Sequence, residues 1–127
     1  MNKYLRGEVD IYFVAMDDFD TLQIDLYENM TIKRMFCFPL EKTQHGLSEN
    51  AGLGKNIKYY RKEGAVFVIL GGGIEKGEYW KLTVAYEGAP LVAKKPPWKG
   101  GFVWKKDKEK NPWIGVACET EGASLWW

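Results

Sequence analysis

The sequence predicts an all-β protein, an antiparallel sandwich or saddle. Three observations carry that prediction: runs in which apolar and polar residues alternate strictly, an excess of aromatic side chains, and turn residues that interrupt the runs at short intervals. The aromatics are six Trp, seven Tyr and six Phe among 127 residues. Such side chains favour the pleated, half-buried surface of a strand and bring a large apolar area to a core.

The elements follow in chain order. Val9, Ile11 and Phe13 alternate with Glu8, Asp10 and Tyr12, which predicts a strand over Glu8–Val14 with one buried and one wetter face. Leu22, Ile24 and Leu26 alternate with Thr21, Gln23 and Asp25, which predicts a second strand over Thr21–Tyr27. Asp17-Asp18-Phe19-Asp20 reads as the turn between them. A third strand spans Met30–Phe38 and is expected to end at Pro39. Leu40–Asn56 is polar and glycine-bearing and reads as a long exposed loop with at most one helical turn. Ile57–Arg61 and Ala65–Leu70 read as a hairpin around Lys62-Glu63-Gly64, and Gly71-Gly72-Gly73 breaks the pattern. Tyr79–Tyr86 resumes it with Trp80, Leu82, Val84 and Tyr86 on one face. Leu91–Ala93 is a short strand, and Gly101–Trp104 and Trp113–Cys118 are strands joined by the charged turn Lys105–Pro112. No repeat and no amphipathic helix longer than a few turns interrupts the series.

Length and charge bound the function. The chain is long enough for one domain with a core, taken here as a single β domain over residues 1–127. A formal net charge of +1, from 18 basic and 17 acidic side chains, gives no long-range attraction to nucleic acid or an anionic membrane. The longest apolar runs, such as Ala65–Leu70, are too short for a membrane-spanning helix, and Met1–Arg6 has no apolar signal segment. The compartment stays open. Cys37 and Cys118 do not amount to a disulfide framework, although spacing leaves a bond between them possible; the plainer reading is two buried thiols in strands. The chain closes on Leu125-Trp126-Trp127, unlike the polar, frayed residues usual at a terminus. This predicts a chain cut inside a larger structure.

Few residues offer chemistry. A catalytic zinc needs three protein ligands, and one histidine with two distant cysteines does not supply them. His45, beside Gly46 in a polar loop, reads as a solvated surface histidine rather than a catalytic base. Gly71-Gly72-Gly73 lacks the Gly-Lys-Ser/Thr ending of a phosphate loop and reads as a turn. Lys105, Lys106, Lys108 and Lys110 are interleaved with Asp107 and Glu109, as at a soluble hairpin tip. Glu119 and Glu121 follow an apolar strand and precede Gly122, a place where carboxylates can face a cleft and meet an ammonium group. From spacing alone, two exposed surface acids remain the better reading.

The C-terminal third is distinctive. Pro96-Pro97-Trp98-Lys99-Gly100-Gly101-Phe102-Val103-Trp104, then Asn111-Pro112-Trp113-Ile114-Gly115-Val116-Ala117-Cys118-Glu119 and Gly122-Ala123-Ser124-Leu125-Trp126-Trp127, resembles the N-terminal β domain of the aminopeptidase N family of zinc metallopeptidases, which includes leukotriene hydrolase. Leu22–Met30 and Tyr59–Val68 resemble earlier strands of that domain, and Glu41–Asn56 looks like an insertion. The resemblance implies a β domain that packs on a separate catalytic domain. That partner would carry His-Glu-x-x-His with its zinc and a Gly-x-Met-Glu-Asn strand, neither of which occurs here. It also implies a role for Glu119, which follows Cys118 where the family places a Gln or Glu that holds the substrate's free α-amine. The closest relatives would carry Gln at 119, and Thr120-Glu121 is atypical.

The expectation is therefore a non-catalytic module without cofactor of its own. Its partners would be the catalytic domain of the same parent protein and a peptide N-terminus, with Glu119 as the substrate-binding residue. Trp126, Trp127 and part of Trp98–Trp104 would lie on an exposed apolar surface through which the chain self-associates. The alternative expectation is a stand-alone β-sandwich that binds sugar or peptide through exposed Trp side chains.

Overall fold

The computed structural model describes residues 2–119 and 122–127. Nine strands account for most of it. A four-stranded antiparallel sheet holds β1 (Leu5–Val14), β7 (Tyr79–Gly88), β3 (Met30–Thr43) and β4 (Gly46–Glu49), in that spatial order. A three-stranded sheet holds β2 (Phe19–Asp25), β6 (Ala65–Ile74) and β5 (Ile57–Lys62). A separate ribbon pairs β8 (Gly101–Lys106) with β9 (Pro112–Ala117). The all-β, antiparallel prediction holds.

The alternation read from the sequence sets the faces. Trp80, Leu82, Val84 and Tyr86 of β7 are buried and meet Ile24, Val66, Val68 and Leu70 from the three-stranded sheet in one core. Met30, Ile32 and Cys37 of β3 fill the same layer. Leu26, Val66, Val68, Leu82 and Val84 are wholly buried, each contributing about 1.5–3 kcal/mol by removal from water. The β5–β6 hairpin turns at Glu63 and Gly64, both at positive φ (52° and 81°), the pattern that matches the twist of the flanking strands.

Several expectations are corrected. Pro39 does not end β3, which runs on to Thr43. The β4 ladder begins one residue later, with Leu40 facing Glu49 and Thr43 facing Gly46; Pro39 gives that edge its carbonyl, which accepts the Asn50 N–H at 3.1 Å, while the Asn50 carbonyl takes the Leu53 N–H, so the missing proline donor leaves that acceptor satisfied. The expected loop Leu40–Asn56 is thus a hairpin with His45 exposed at its tip, followed by a 3-10 turn, Ala51–Leu53. Gly71-Gly72-Gly73 does not break β6. It bends the strand at a register shift opposite Phe19 and Thr21, with Gly72 and Gly73 at φ 81° and 69°. Leu91–Ala93 contributes one isolated bridge, Val92 to Phe102. Cys37 is buried and Cys118 exposed, and the two are not bonded.

The terminal tryptophans are also corrected. Leu125 is buried, Trp126 sits edge-on to Phe102 at 5.7 Å, and Trp127 sits edge-on to Tyr86 at 5.6 Å. Trp127 packs against the core and donates its indole N–H to the Asp25 carbonyl. Their aromatic area is used within the chain. Of the segment expected to lie exposed beside them, Trp98 does so, while Phe102 is buried.

The chain changes sheet between β1 and β2, β2 and β3, β4 and β5, and β6 and β7. One of the short changes is the passage from Asp25 to Met30. Arg61 of β5 clasps it: Nη1 donates to the Met30 carbonyl at 2.7 Å, and Nη2 donates to those of Leu26 and Tyr27 at 2.7 and 2.8 Å. Arg61→Ala should leave these carbonyls without their donor and cost about 2–4 kcal/mol. Arg61→Lys should recover little, because an ammonium cannot span the fork. Urea unfolding checks this. A loss no larger than for Arg34→Ala, whose guanidinium pairs with exposed Glu8, would refute it.

Candidate functional site

The β8–β9 ribbon positions the predicted site. Its start is fixed by close approach. A side chain at Gly100 would place Cβ 2.4 Å from the Ala117 carbonyl, and one at Gly101 would place it 2.3 Å from that of Leu91. Glycine at both lets β8 lie between β9 and Leu91–Ala93. The preceding loop holds a cis Pro96-Pro97 bond and a Lys99 N–H to Lys95 carbonyl bond of 2.8 Å, and it presents Trp98 to solvent. The hairpin tip is organised by Asp107, whose carboxylate accepts from the Glu109 N–H (2.9 Å), the Asn111 N–H (2.8 Å) and Asn111 Nδ2 (3.1 Å). The Asn111 bonds, side chain first, hold its carboxyl below the usual value.

Beyond Ala117, which faces Gly101, the chain leaves the ribbon at Cys118 and bends at Glu119. Both residues are exposed. Among the described residues, no hydrogen bond or ion pair engages the Glu119 carboxylate. Glu121, its sequence neighbour in the prediction, lies outside the described residues. The chain is held again at Ser124, whose carbonyl accepts the Tyr27 N–H at 2.9 Å. Glu119 thus follows directly on β9, whose Trp113, Ile114 and Val116 are also exposed.

Other clusters were not foreseen. On the outer face of the four-stranded sheet, Lys81 is 8% exposed, hydrogen-bonds Glu49 of β4, lies 3.8 Å from Asp10 and sits over the Tyr12 ring. The Glu49 bond and then the Asp10 charge raise its pKa against desolvation. An ammonium held charged in this way is neither base nor nucleophile, and it pins β4 to the sheet. A lysine at an outward strand position reads as ordinary surface, so only the long-range partners reveal it. Toward the other end of β7, a groove of about 370 Å³ holds Arg6, Lys33, Arg34 and Glu87. Its charges satisfy one another: Glu87 pairs with Arg6 and Lys33 at 3.0 Å, and Arg34 with Glu8 at 3.1 Å. Lys33 and then Arg6 lower the Glu87 pKa. A cavity of about 680 Å³ lies against the glycine bulge of β6 and carries Asp18, Asp20 and Glu75. It shares no residue with the Glu119 bend.

Among the described residues, no group of three or more His, Cys, Asp or Glu side chains is placed to hold a metal ion. No protein-family model matches the chain, and no curated protein matches its sequence.

The two thiols differ sharply. Burial raises the Cys37 pKa from 9.0 to about 11, with Lys55 pulling weakly the other way. Native protein should therefore react with a thiol reagent at Cys118 and release Cys37 only on unfolding. The linkage has a definite sign. The unfolded thiol ionises above 9.0 while the folded one stays protonated to about 11, so this stabilisation is complete below 9.0 and is lost as pH rises through 11. Equal, rapid labelling of both thiols in the native protein would contradict this.

Proposed function

We propose that the chain is a non-catalytic N-terminal β domain of a zinc aminopeptidase, in which Glu119 accepts the α-ammonium of the peptide substrate. The observation that carries the reading is the Glu119 carboxylate, exposed in the bend after β9 and unengaged by any described side chain. A carboxylate so placed can take an ammonium through a charge-assisted hydrogen bond without first giving up an internal partner. The antiparallel β fold and the tryptophan-bearing segments agree with the resemblance on which the reading rests. In this reading the zinc, its ligands and the bond-breaking step belong to the catalytic domain, and this chain shapes the approach to them.

The exposed aromatics favour the alternative of a stand-alone binding module. Tyr60 of β5 and Trp113 of β9 are half-exposed, and Trp98 is 58% exposed on its loop. Flat rings in water suit sugar faces or apolar peptide side chains. A reading frame that continues into His-Glu-x-x-His supports the aminopeptidase domain, and a stop codon after Trp127 supports the stand-alone module.

The site itself is tested by kinetics in the protein that carries the catalytic domain. Glu119→Ala should lower kcat/KM about ten- to a hundredfold, the equivalent of a lost charge-assisted bond of about 1.5–3 kcal/mol. The loss should appear mainly in KM, because the α-ammonium is bound alike in ground and transition states. Glu119→Gln should lose less, since an amide oxygen still accepts, and Glu121→Ala should do little. Equal losses at 119 and 121, or none at 119, would remove Glu119 from the site.

A further inference from the structure

Among the described residues, β9 has strand pairing on one edge only. The direction of its free backbone groups follows from β8. Phe102 donates its N–H to the Leu91 carbonyl at 2.7 Å and accepts the Ala93 N–H at 2.9 Å, both on the side away from β9. Phe102 faces Val116 in the antiparallel register. When one member of such a pair bonds outward, so does the other. Val116 therefore turns its N–H and C=O to the open edge, and alternation makes Ile114 do the same. Both side chains are about half-exposed, at 53% and 52%. Trp113–Ala117 contains no charge, and its register against β8 contains no bulge, so the usual guards of a strand edge are missing beyond Pro112.

We propose that this edge pairs with a second copy of the chain, antiparallel about a twofold axis at Gly115. In that register Ile114 lies opposite the partner's Val116, and Val116 opposite the partner's Ile114. Each is a closely bonded pair that exchanges both N–H···O bonds, so the outward groups of both residues are satisfied on both chains. Trp113 comes opposite the partner's Ala117, a large ring against a methyl group. Its ring already lies over Gly115, where a Cβ would be 3.1 Å away, so glycine at the axis leaves room for the ring of each copy. Past the end of β9 the chain bends, so Glu119 has no place in this register, but it leaves the paired segment at the end where the partner's hairpin turn carries Lys110. Neither charge has an ion partner within one chain among the described residues. The surface is self-complementary in hydrogen bonding, shape and charge, as a twofold interface requires.

This inference rests on the edge geometry and is independent of the aminopeptidase reading, although a peptide ammonium and the partner's Lys110 would compete for Glu119. Sedimentation equilibrium of the intact chain should show a concentration-dependent species of twice the chain mass. Val116→Lys should keep it monomeric while leaving the far-ultraviolet spectrum unchanged. Lys110→Glu should weaken dimerisation by roughly two- to thirtyfold, the range for two exposed ion pairs, and adding Glu119→Lys should restore it. Amide exchange in the unmodified protein gives a second readout. The Ile114 and Val116 amides should slow as dimer forms, while that of Gly115, turned toward β8, should not. A monomer at every concentration with those amides exchanging freely would overturn the proposal and leave the edge to another occupant. A dimer in which they exchange as in the monomer, or no rescue by the charge swap, would overturn it as well.

Discussion

The constraint on which this structure depends is the passage from β2 to β3. A chain that leaves one sheet for the other must turn carbonyls away from both ladders, and buried carbonyls without donors are costly. Here the turn lies against the core, between buried Leu26 and buried Met30. One guanidinium meets three of its carbonyls, and the Tyr27 carbonyl also accepts the Met30 N–H at 3.0 Å. The Leu26 N–H is taken by the Gly64 carbonyl at 3.0 Å, and Asn29 Nδ2 donates to Ala89 at 2.8 Å. The Asp25 carbonyl and Tyr27 N–H are closed by Trp127 and Ser124 of the last segment. The crossover therefore joins β5, the β5–β6 turn, the end of β7 and the C-terminal residues in one polar knot. Both sheets take their relative position from it.

Much of the fold was legible because its signal is local. Period-2 alternation in Thr21–Tyr27 and Tyr79–Tyr86 names the buried face directly, and Glu63-Gly64 supplies the positive-φ pair of a hairpin turn. The failures share a cause. Pro39 and the Gly71–Gly73 run are breakers by local rule, yet tertiary pairing overrides each: β4 covers one edge beyond Pro39, and Phe19 anchors the bulge from the other strand. The polar stretch after Leu40 hides a hairpin because its residues face solvent on both sides, so no apolar alternation marks it. Pairing order was not legible. That β1 and β2 belong to different sheets depends on contacts across the sequence, such as the Ala15 N–H on the Glu78 carbonyl at 3.0 Å.

For the proposed site, the sequence offered a candidate and the structure its surroundings. Glu119 was singled out by its place after an apolar strand and by resemblance, and exposure beside β9 is a property the strand pattern allows. The Lys81 centre was invisible. Its partners Asp10 and Glu49 lie on other strands, and nothing in Trp80-Lys81-Leu82 marks that lysine as covered. The terminal tryptophans misled for a physical reason. Apolar residues at a chain end read as surface awaiting a partner, whereas here the partner is Phe102, Tyr86 and the β2–β3 crossover of the same chain.

That internal docking also determines what Glu119 can do. A side chain on a free tail would pay conformational entropy each time it met a ligand. Glu119 is two residues past Ala117, which is fixed against Gly101, and the chain beyond it is fixed at Ser124 and Leu125. Ser124 traces back to the core through the crossover that Arg61 clasps, and β8 meets the last segment where buried Phe102 packs edge-on against Trp126. In the proposed reading, the carboxylate is displayed next to a strand that is already paired before any ligand arrives. Such an acceptor can orient a cationic group and add modest affinity. The same argument applies to the edge of β9, whose outward N–H and C=O groups are held in strand geometry by β8 and need no folding step to accept another strand.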